Sequence, residues 1–192
     1  MHDSHLVSSR KSTSPNATLT PSDTARHQQH LPRRVTTERN WSCVRGLPGA
    51  AMAAVTAQRK IVMVREFRPN VLGQHVPTWN LPRGAVENGE TPLGAALREF
   101  AEETGLELDA RQGHVLGEVR ADNGLILHSV TICWAPVATD EDCWAPPRDA
   151  EEQILEVRAF DQTTLRRMLA RGELQDGYLF SALGLLQLSG LF

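Results

Sequence analysis

Residues 84 to 106 read GAVENGETPLGAALREFAEETGL, and the fold turns on how this stretch is read. Gly84, Glu90, Arg98, Glu99, Glu102, Glu103 and Gly105 stand in one unbroken run. The stretch has the grammar of a loop, a helix and a stop. Thr91 suits an N-cap and Pro92 suits the first helical position, where its missing N–H costs nothing. Gly105 follows the last periodic residue, as a left-handed C-terminal cap does, and Leu106 can pack back on the helix. Leu93, Ala96, Leu97 and Phe100 share one face, which predicts burial against a sheet. Glu99, Glu102 and Glu103 stand at i, i+3 and i+4, so their carboxylates share another face.

Three like charges on one helical face repel. In isolation, E-x-x-E-E is most simply a solvated acidic face. Here the glycine-bounded frame favours a site instead. Hard oxygen donors clustered this way suit Mg²⁺ or Mn²⁺, which would relieve the repulsion. No Cys/His spacing supports zinc. Arg98 flanks the acidic face, and its planar fork could hold Glu90 or one of the helix glutamates. A surface ion pair is the plainer alternative.

Written as a pattern, the run is G-x5-E-x7-R-E-U-x-E-E-x-G-U, with Phe100 and Leu106 at the apolar positions. This resembles the Nudix box of the Nudix hydrolases. Every fixed position matches, and Phe100 stands where an aliphatic residue is usual. Seven such positions would match a given window by chance about once in 10^8. The resemblance implies an α/β fold, a Nudix-type α/β/α sandwich with a mixed sheet, over residues 45–192. It implies Glu99 and Glu103 as main metal ligands and Glu102 as an added ligand. The backbone carbonyl of Arg83 or Gly84 would be a further ligand, and Arg98 would orient Glu90. The implied reaction is metal-assisted hydrolysis of a diphosphate joined to another group.

Around the box the pattern alternates between strand and turn. Ala51 to Ala57 and Lys60 to Phe67 read as strands, with Gln58 and Arg59 at the turn. Pro69 to Val76 reads as a loop, and Trp79 to Pro82 as a short extended approach to the box. Val115 to Arg120 and Leu125 to Pro136 read as strands separated by an Asp122-Asn123-Gly124 turn. An acidic, proline-rich loop follows from Thr139 to Asp149, then a strand from Ile154 to Phe160. Asp161 caps a helix from Gln162 to Ala170, ended by Gly172, and a last helix spans Gly177 to Leu188.

Composition bounds the rest. A chain of 192 residues with 41% hydrophobic content fits one globular core and a tail. A net charge of −3 gives no general affinity for nucleic acid. The three cysteines, Cys43, Cys133 and Cys143, lack metal or redox spacing and fit a reducing cytosol, which predicts a cytoplasmic protein. No run of 18 apolar residues is present, so no membrane partner is expected. Residues 1 to 40 hold twelve Ser or Thr, six Lys or Arg and three Asp or Glu. That composition buries too little to fold, and it predicts a disordered tail over residues 1–44 or a translation start set too far upstream. His2, His5, His27 and His30 are read as solvated.

Sequence flanking the box narrows the substrate. V-R-E-F-R-P at Val64 to Pro69 and N-L-P-R-G at Asn80 to Gly84 resemble the ADP-ribose and nucleotide-sugar pyrophosphatase branch of the family. So does L-A-R-G-E-L-Q-D-G at Leu169 to Gly177. Two features depart from that branch. No proline follows the box near Arg120-Ala121-Asp122, and Arg83 replaces a small residue before Gly84. In the branch setting Arg65 and Arg68 would meet phosphate or ribose, and Trp79 would stack on a base or line the pocket. The alternatives are surface ion pairs for the arginines and a core position for Trp79. Glu152, with Glu151 beside it, occupies the branch's position for a catalytic base. The resemblance implies a homodimer that converts a nucleoside diphosphate linked to a sugar into a nucleoside monophosphate and a sugar phosphate. A nucleoside triphosphate pyrophosphohydrolase of the mutator type and a non-catalytic Nudix-fold ligand sensor are the alternatives.

Overall fold

The computed structural model describes residues 34–38, 41–69, 75–122, 124–139, 141–145 and 154–192, with the backbone alone at 34–38, 41–42, 68–69 and 75. The organising strand is β3 (Gly49–Thr56), in which all eight residues are buried. Ala51, Ala53 and Val55 point into one core, and Ala50, Met52 and Ala54 into the other. A strand covered on both faces loses polar alternation and reads as a continuous apolar run, as GAAMAAVT does.

β3 turns into β4 (Ile61–Pro69) through Gln58 and Arg59, the latter at φ 59°. The two strands meet only at Val55↔Ile61 and then diverge. Other strands take the freed edges. β5 (His75–Asn80) pairs antiparallel with β4, and β6 (Arg83–Ala85) pairs antiparallel with the start of β3. The divergence delivers residues 83–85, the approach to the box, onto the middle of the sheet. β9 (Val130–Val137) runs parallel to β3 along its whole length, and β7 (His114–Val119) closes that side. β11 (Ile154–Phe160) lies on the far side of β4, with β10 (Cys143–Trp144) beside it. The result is a mixed sheet between two helical layers, as expected for the α/β class.

Helix α1 (Pro92–Thr104) covers one face. Ala95, Ala96 and Phe100 are fully buried there against Met52, Val62, Val64 and Cys133, with Leu93, Leu97 and Leu106 at the margin. Its ends follow the sequence signals. Thr91 accepts from Gly94 N at 3.1 Å, and Gly105, at φ 70°, returns its N–H to Ala101 O. The other face carries α2 (Gln162–Ala170) and α3 (Gly177–Leu188), capped by Asp161 and Asp176.

Three expectations change. Leu125 to Pro136 is not one strand. β8 (Ile126–Leu127) pairs parallel with β2 (Trp41–Arg45), and only after His128 and Ser129 does β9 join the main sheet. Val44 N and Gly49 N, bonded to Leu125 O and Ser129 O, fix that change of partner. The approach to the box is longer than Trp79 to Pro82, because β5 begins at His75 inside the expected loop. β1 (Arg34–Glu38) pairs antiparallel with β2, so the stretch read from composition as tail contains two strands. Residues 1–33, with the four tail histidines, lie outside the described residues. No described helix is long and apolar enough to cross a membrane.

Two outcomes follow from this packing. Phe100→Ala should cost about 3–5 kcal/mol of stability in a urea titration, because Phe100 is among the largest fully buried side chains. Burial also pushes the Cys133 thiol up to about 11, and Cys43 is buried too. In the native protein a disulfide reagent near neutral pH should therefore count one fast thiol, the exposed Cys143, and three after guanidinium unfolding.

Candidate active site

Arg98 sits on α1 where the loop before the helix folds back over it. Its guanidinium carries five N–H donors, and the structure gives it five acceptors. Nε and Nη2 donate to the two oxygens of Glu90, each at 3.1 Å. Nη2 also donates to Ala85 O at 3.1 Å. Nη1 donates to Glu99 Oε1 at 2.8 Å and to Glu102 Oε2 at 3.1 Å. Glu90 in turn accepts from Glu87 N at 3.2 Å, which closes the loop. One side chain thus joins β6, the loop and two helix carboxylates. The surface ion pair considered for Arg98 would reach one partner.

The charges respond to their surroundings. The Arg98 fork holds the Glu90 carboxyl below its ordinary range. Glu99 is pushed up, because burial outweighs the opposing contact with Arg98. Glu103 is 3% exposed and Glu102 is open to solvent, so the three box carboxylates span a gradient from interior to surface.

Gly84 packs directly on Glu99. A Cβ built on Gly84 would fall 2.0 Å from Glu99 Oε1 and 2.1 Å from its Cδ. The bare Cα is what allows the β6 backbone and the Glu99 carboxylate to share this space. Glutamates and a peptide carbonyl are hard oxygen donors, and that set fits a Mg²⁺- or Mn²⁺-sized ion. Among the described residues, no three acidic, histidine or cysteine side chains converge on a common point. Two of the three box carboxylates face Arg98 instead, so a bound cation would compete with that guanidinium for Glu99 and Glu102.

Other sequence-predicted residues stand apart from this cluster. Arg65 pairs across the sheet with Glu156, Nη1 to Oε1 at 2.7 Å. Trp79 packs edge-on against Phe160, with ring centroids 4.8 Å apart, at the margin of the core on the α2–α3 side. The Arg83 side chain leaves the cluster: Nη1 lies 2.7 Å from Asp176 Oδ2, and the guanidinium sits 5.0 Å from the centre of the Tyr178 ring. The Arg68 side chain, Glu151 and Glu152 lie outside the described residues. Sequence reasoning passed over Glu66 and Asn80. Glu66 is 2% exposed and accepts from Asn80 Nδ2 at 3.0 Å. The signal was available, since Glu66 continues the alternation of Val62 and Val64 onto the face that α1 covers.

Comparison with known proteins agrees with this geometry. The family model of the NUDIX domain matches residues 46–183. The chain belongs to the Nudix family. Its box is therefore a Nudix box in sequence and in setting. Nudix hydrolases generally use a divalent metal. A methanol dehydrogenase activator of Bacillus methanolicus is 44% identical over 63 residues, 32% of each chain. An ADP-ribose pyrophosphatase of Bacillus subtilis is 48% identical over 59 residues, 30% of each chain. The matched segments thus span about a third of the curated relatives' length. A NUDIX hydrolase from Nitrosomonas europaea superposes with a TM-score of 0.57 at 19% identity, over 74% of this chain and 89% of that one, which shows the shared fold.

Two substitutions separate position from presence. Gly84→Ala should displace only the end of a flexible side chain, so its thermal midpoint should stay near wild type while turnover falls. Arg98→Lys keeps the charge but loses the fork, and should lower turnover roughly 10–100-fold. Melting curves alongside initial rates on a diphosphate substrate check both.

Proposed function

We propose that the protein hydrolyses the diphosphate bond of a nucleoside diphosphate linked to a sugar, giving a nucleoside monophosphate and a sugar phosphate. The observation that carries this reading is the Arg98 cluster, which gathers Glu90, Glu99 and Glu102 beside the glycine that opens the box. The sequence around the box supports the substrate class, and so does the partial likeness to an ADP-ribose pyrophosphatase.

In this reading Glu99, Glu102, Glu103 and the Arg83 or Gly84 carbonyl would hold Mg²⁺ or Mn²⁺. When bound, the ion supplies charge neutralisation on the phosphate oxygens and a more acidic water. Arg98 sets the rotamers of Glu99 and Glu102 and keeps Glu90 over the helix. Gly84 keeps the backbone close to the Glu99 carboxylate. Glu152 is the candidate for accepting the proton of the attacking water. Water adds at one phosphorus, the bridging P–O bond breaks, and the oxygen leaves with one of the two products. No protein nucleophile is needed. Arg65, Arg68 and Trp79 are proposed as contacts to the substrate outside the reacting bond. Arg65 would have to leave Glu156, its part-buried partner, to serve. The domain is proposed to run from residue 45 to 192 and to act as a homodimer.

A turnover panel with Mg²⁺ or Mn²⁺ tests this, covering ADP-ribose, other nucleoside diphosphate sugars, dinucleoside polyphosphates, NADH and nucleoside triphosphates. The expected products are a monophosphate and a sugar phosphate. Pyrophosphate released from a triphosphate would overturn the substrate class. Glu99→Gln and Glu103→Gln should each lower turnover by about a hundredfold or more with excess metal present. Full activity in both would overturn the assignment of the metal ligands.

A further inference from the structure

Near the backbone that opens the box lies a half-open cavity of about 400 Å³. Arg45, Arg120 and His128 line it, with Ser129 and the apolar side chains Ile126 and Leu127. It exists because β2 and β8 run parallel, which sets Arg45 opposite Leu127, while Ser129 O is bonded to Gly49 N at 2.9 Å. Two contacts tie it to the box. The point where a Cβ on Gly49 would sit lies 3.3 Å from Gly84 O and 3.5 Å from His128 Cε1. Gly84 itself packs on the Glu99 carboxylate. The cavity is therefore one glycine away from the backbone carbonyl at the start of the box.

Its chemistry has one sign. None of its lining residues is acidic, and two of them are arginines. A recorded carboxylate nearby is Glu118, 3.0 Å from Arg120, in a pair with both side chains at least half exposed. Such a pair exchanges readily with another anion. His128 has Nδ1 buried with no hydrogen-bond partner among the described residues, so no protein bond at that atom holds the ring on the wall. Its ring packs edge-on to Tyr178, with centroids 6.3 Å apart.

We propose that this cavity receives the sugar end of the substrate and selects sugars that carry a negative group, a carboxylate or a phosphate, over neutral ones. This rests on the hydrolytic reading above for the identity of the diphosphate. Arg45 and Arg120 supply the charge, the Ser129 hydroxyl offers a donor to a ring oxygen or hydroxyl, and Ile126 and Leu127 give an apolar wall for a sugar face. The cavity is large enough for a phosphorylated pentose or a hexuronic acid. A neutral hexose in the same place would offer neither guanidinium an anion.

Equilibrium binding by calorimetry tests this with the full chain, in EDTA so that no turnover occurs. UDP-glucuronate is compared with UDP-glucose, which differ at one carboxylate, and ADP-ribose bearing a phosphate on the distal ribose with ADP-ribose. The wild type should prefer the charged member of a pair by roughly tenfold, the scale of one charge-assisted contact. In Arg45→Gln/Arg120→Gln the preference should collapse toward unity while the neutral probe keeps its affinity. Melting curves confirm that the exposed substitutions leave the fold intact. Equal binding within both pairs, tighter binding of the neutral members, or no measurable binding of either charged probe would overturn the proposal. So would equal weakening of both members in the double variant, since the arginines would then serve the shared diphosphate. A charge preference without turnover of any diphosphate sugar under Mg²⁺ would sustain the cavity assignment and overturn the hydrolytic reading.

Discussion

The site depends on one guanidinium with every donor engaged. Arg98 is the sole counter-charge that joins Glu90, Glu99 and Glu102 among the described contacts. Without it, three carboxylates would crowd a partly buried helix face, and the unfavourable charge would fall hardest on Glu99, already pushed up by burial. Glu90 makes the arrangement more than an ion pair. It ties the Arg98 fork to the turn at Glu87, so the loop is bonded to the helix through one carboxylate. A lysine could balance the charge but could not hold five acceptors in one plane.

That unit would be useless without a sheet shaped to receive it. β3 and β4 part after a single paired position, and β5 and β6 fill the edges they leave. An ordinary long hairpin would have sealed the space through which Gly84 reaches Glu99. The divergence trades direct β3–β4 pairing for pairing with the chain that leads into the box, so the backbone groups stay bonded while the topology opens. Met52 N to Pro82 O and Val86 N to Pro48 O show the exchange at either end of β6.

Much of this was legible from residue order. The box helix, its Thr91 and Gly105 caps and its apolar face follow from spacing, because each is a local relation along one helix and its flanking loop; spacing left Arg98 to hold Glu90 or a helix glutamate, and only the family resemblance singled out Glu90. The Asp161 cap of the penultimate helix is local in the same way. What escaped depends on distant partners. Nothing in ILHSVTI marks His128 and Ser129 as the place where one strand ends and another joins a different sheet. The strands at Arg34–Glu38 and Trp41–Arg45 lie in a stretch poor in apolar residues, and they are paired through backbone that composition does not report. The side-chain partners of Arg65 and Arg83, Glu156 and Asp176, are 91 and 93 residues further along the chain, and residue order did not name them. A long cationic side chain carries no local sign of which carboxylate it will meet.

Asp176 has a consequence of its own. One of its oxygens accepts from Leu179 N and starts the last helix, while the other faces Arg83, the residue before the box glycine. Tyr178, the second residue of that helix, lies under the same guanidinium. The final helix and the first residues of the box are therefore adjusted through a single carboxylate. Variation that improves one is felt by the other, and substitutions at the two ends should not combine additively.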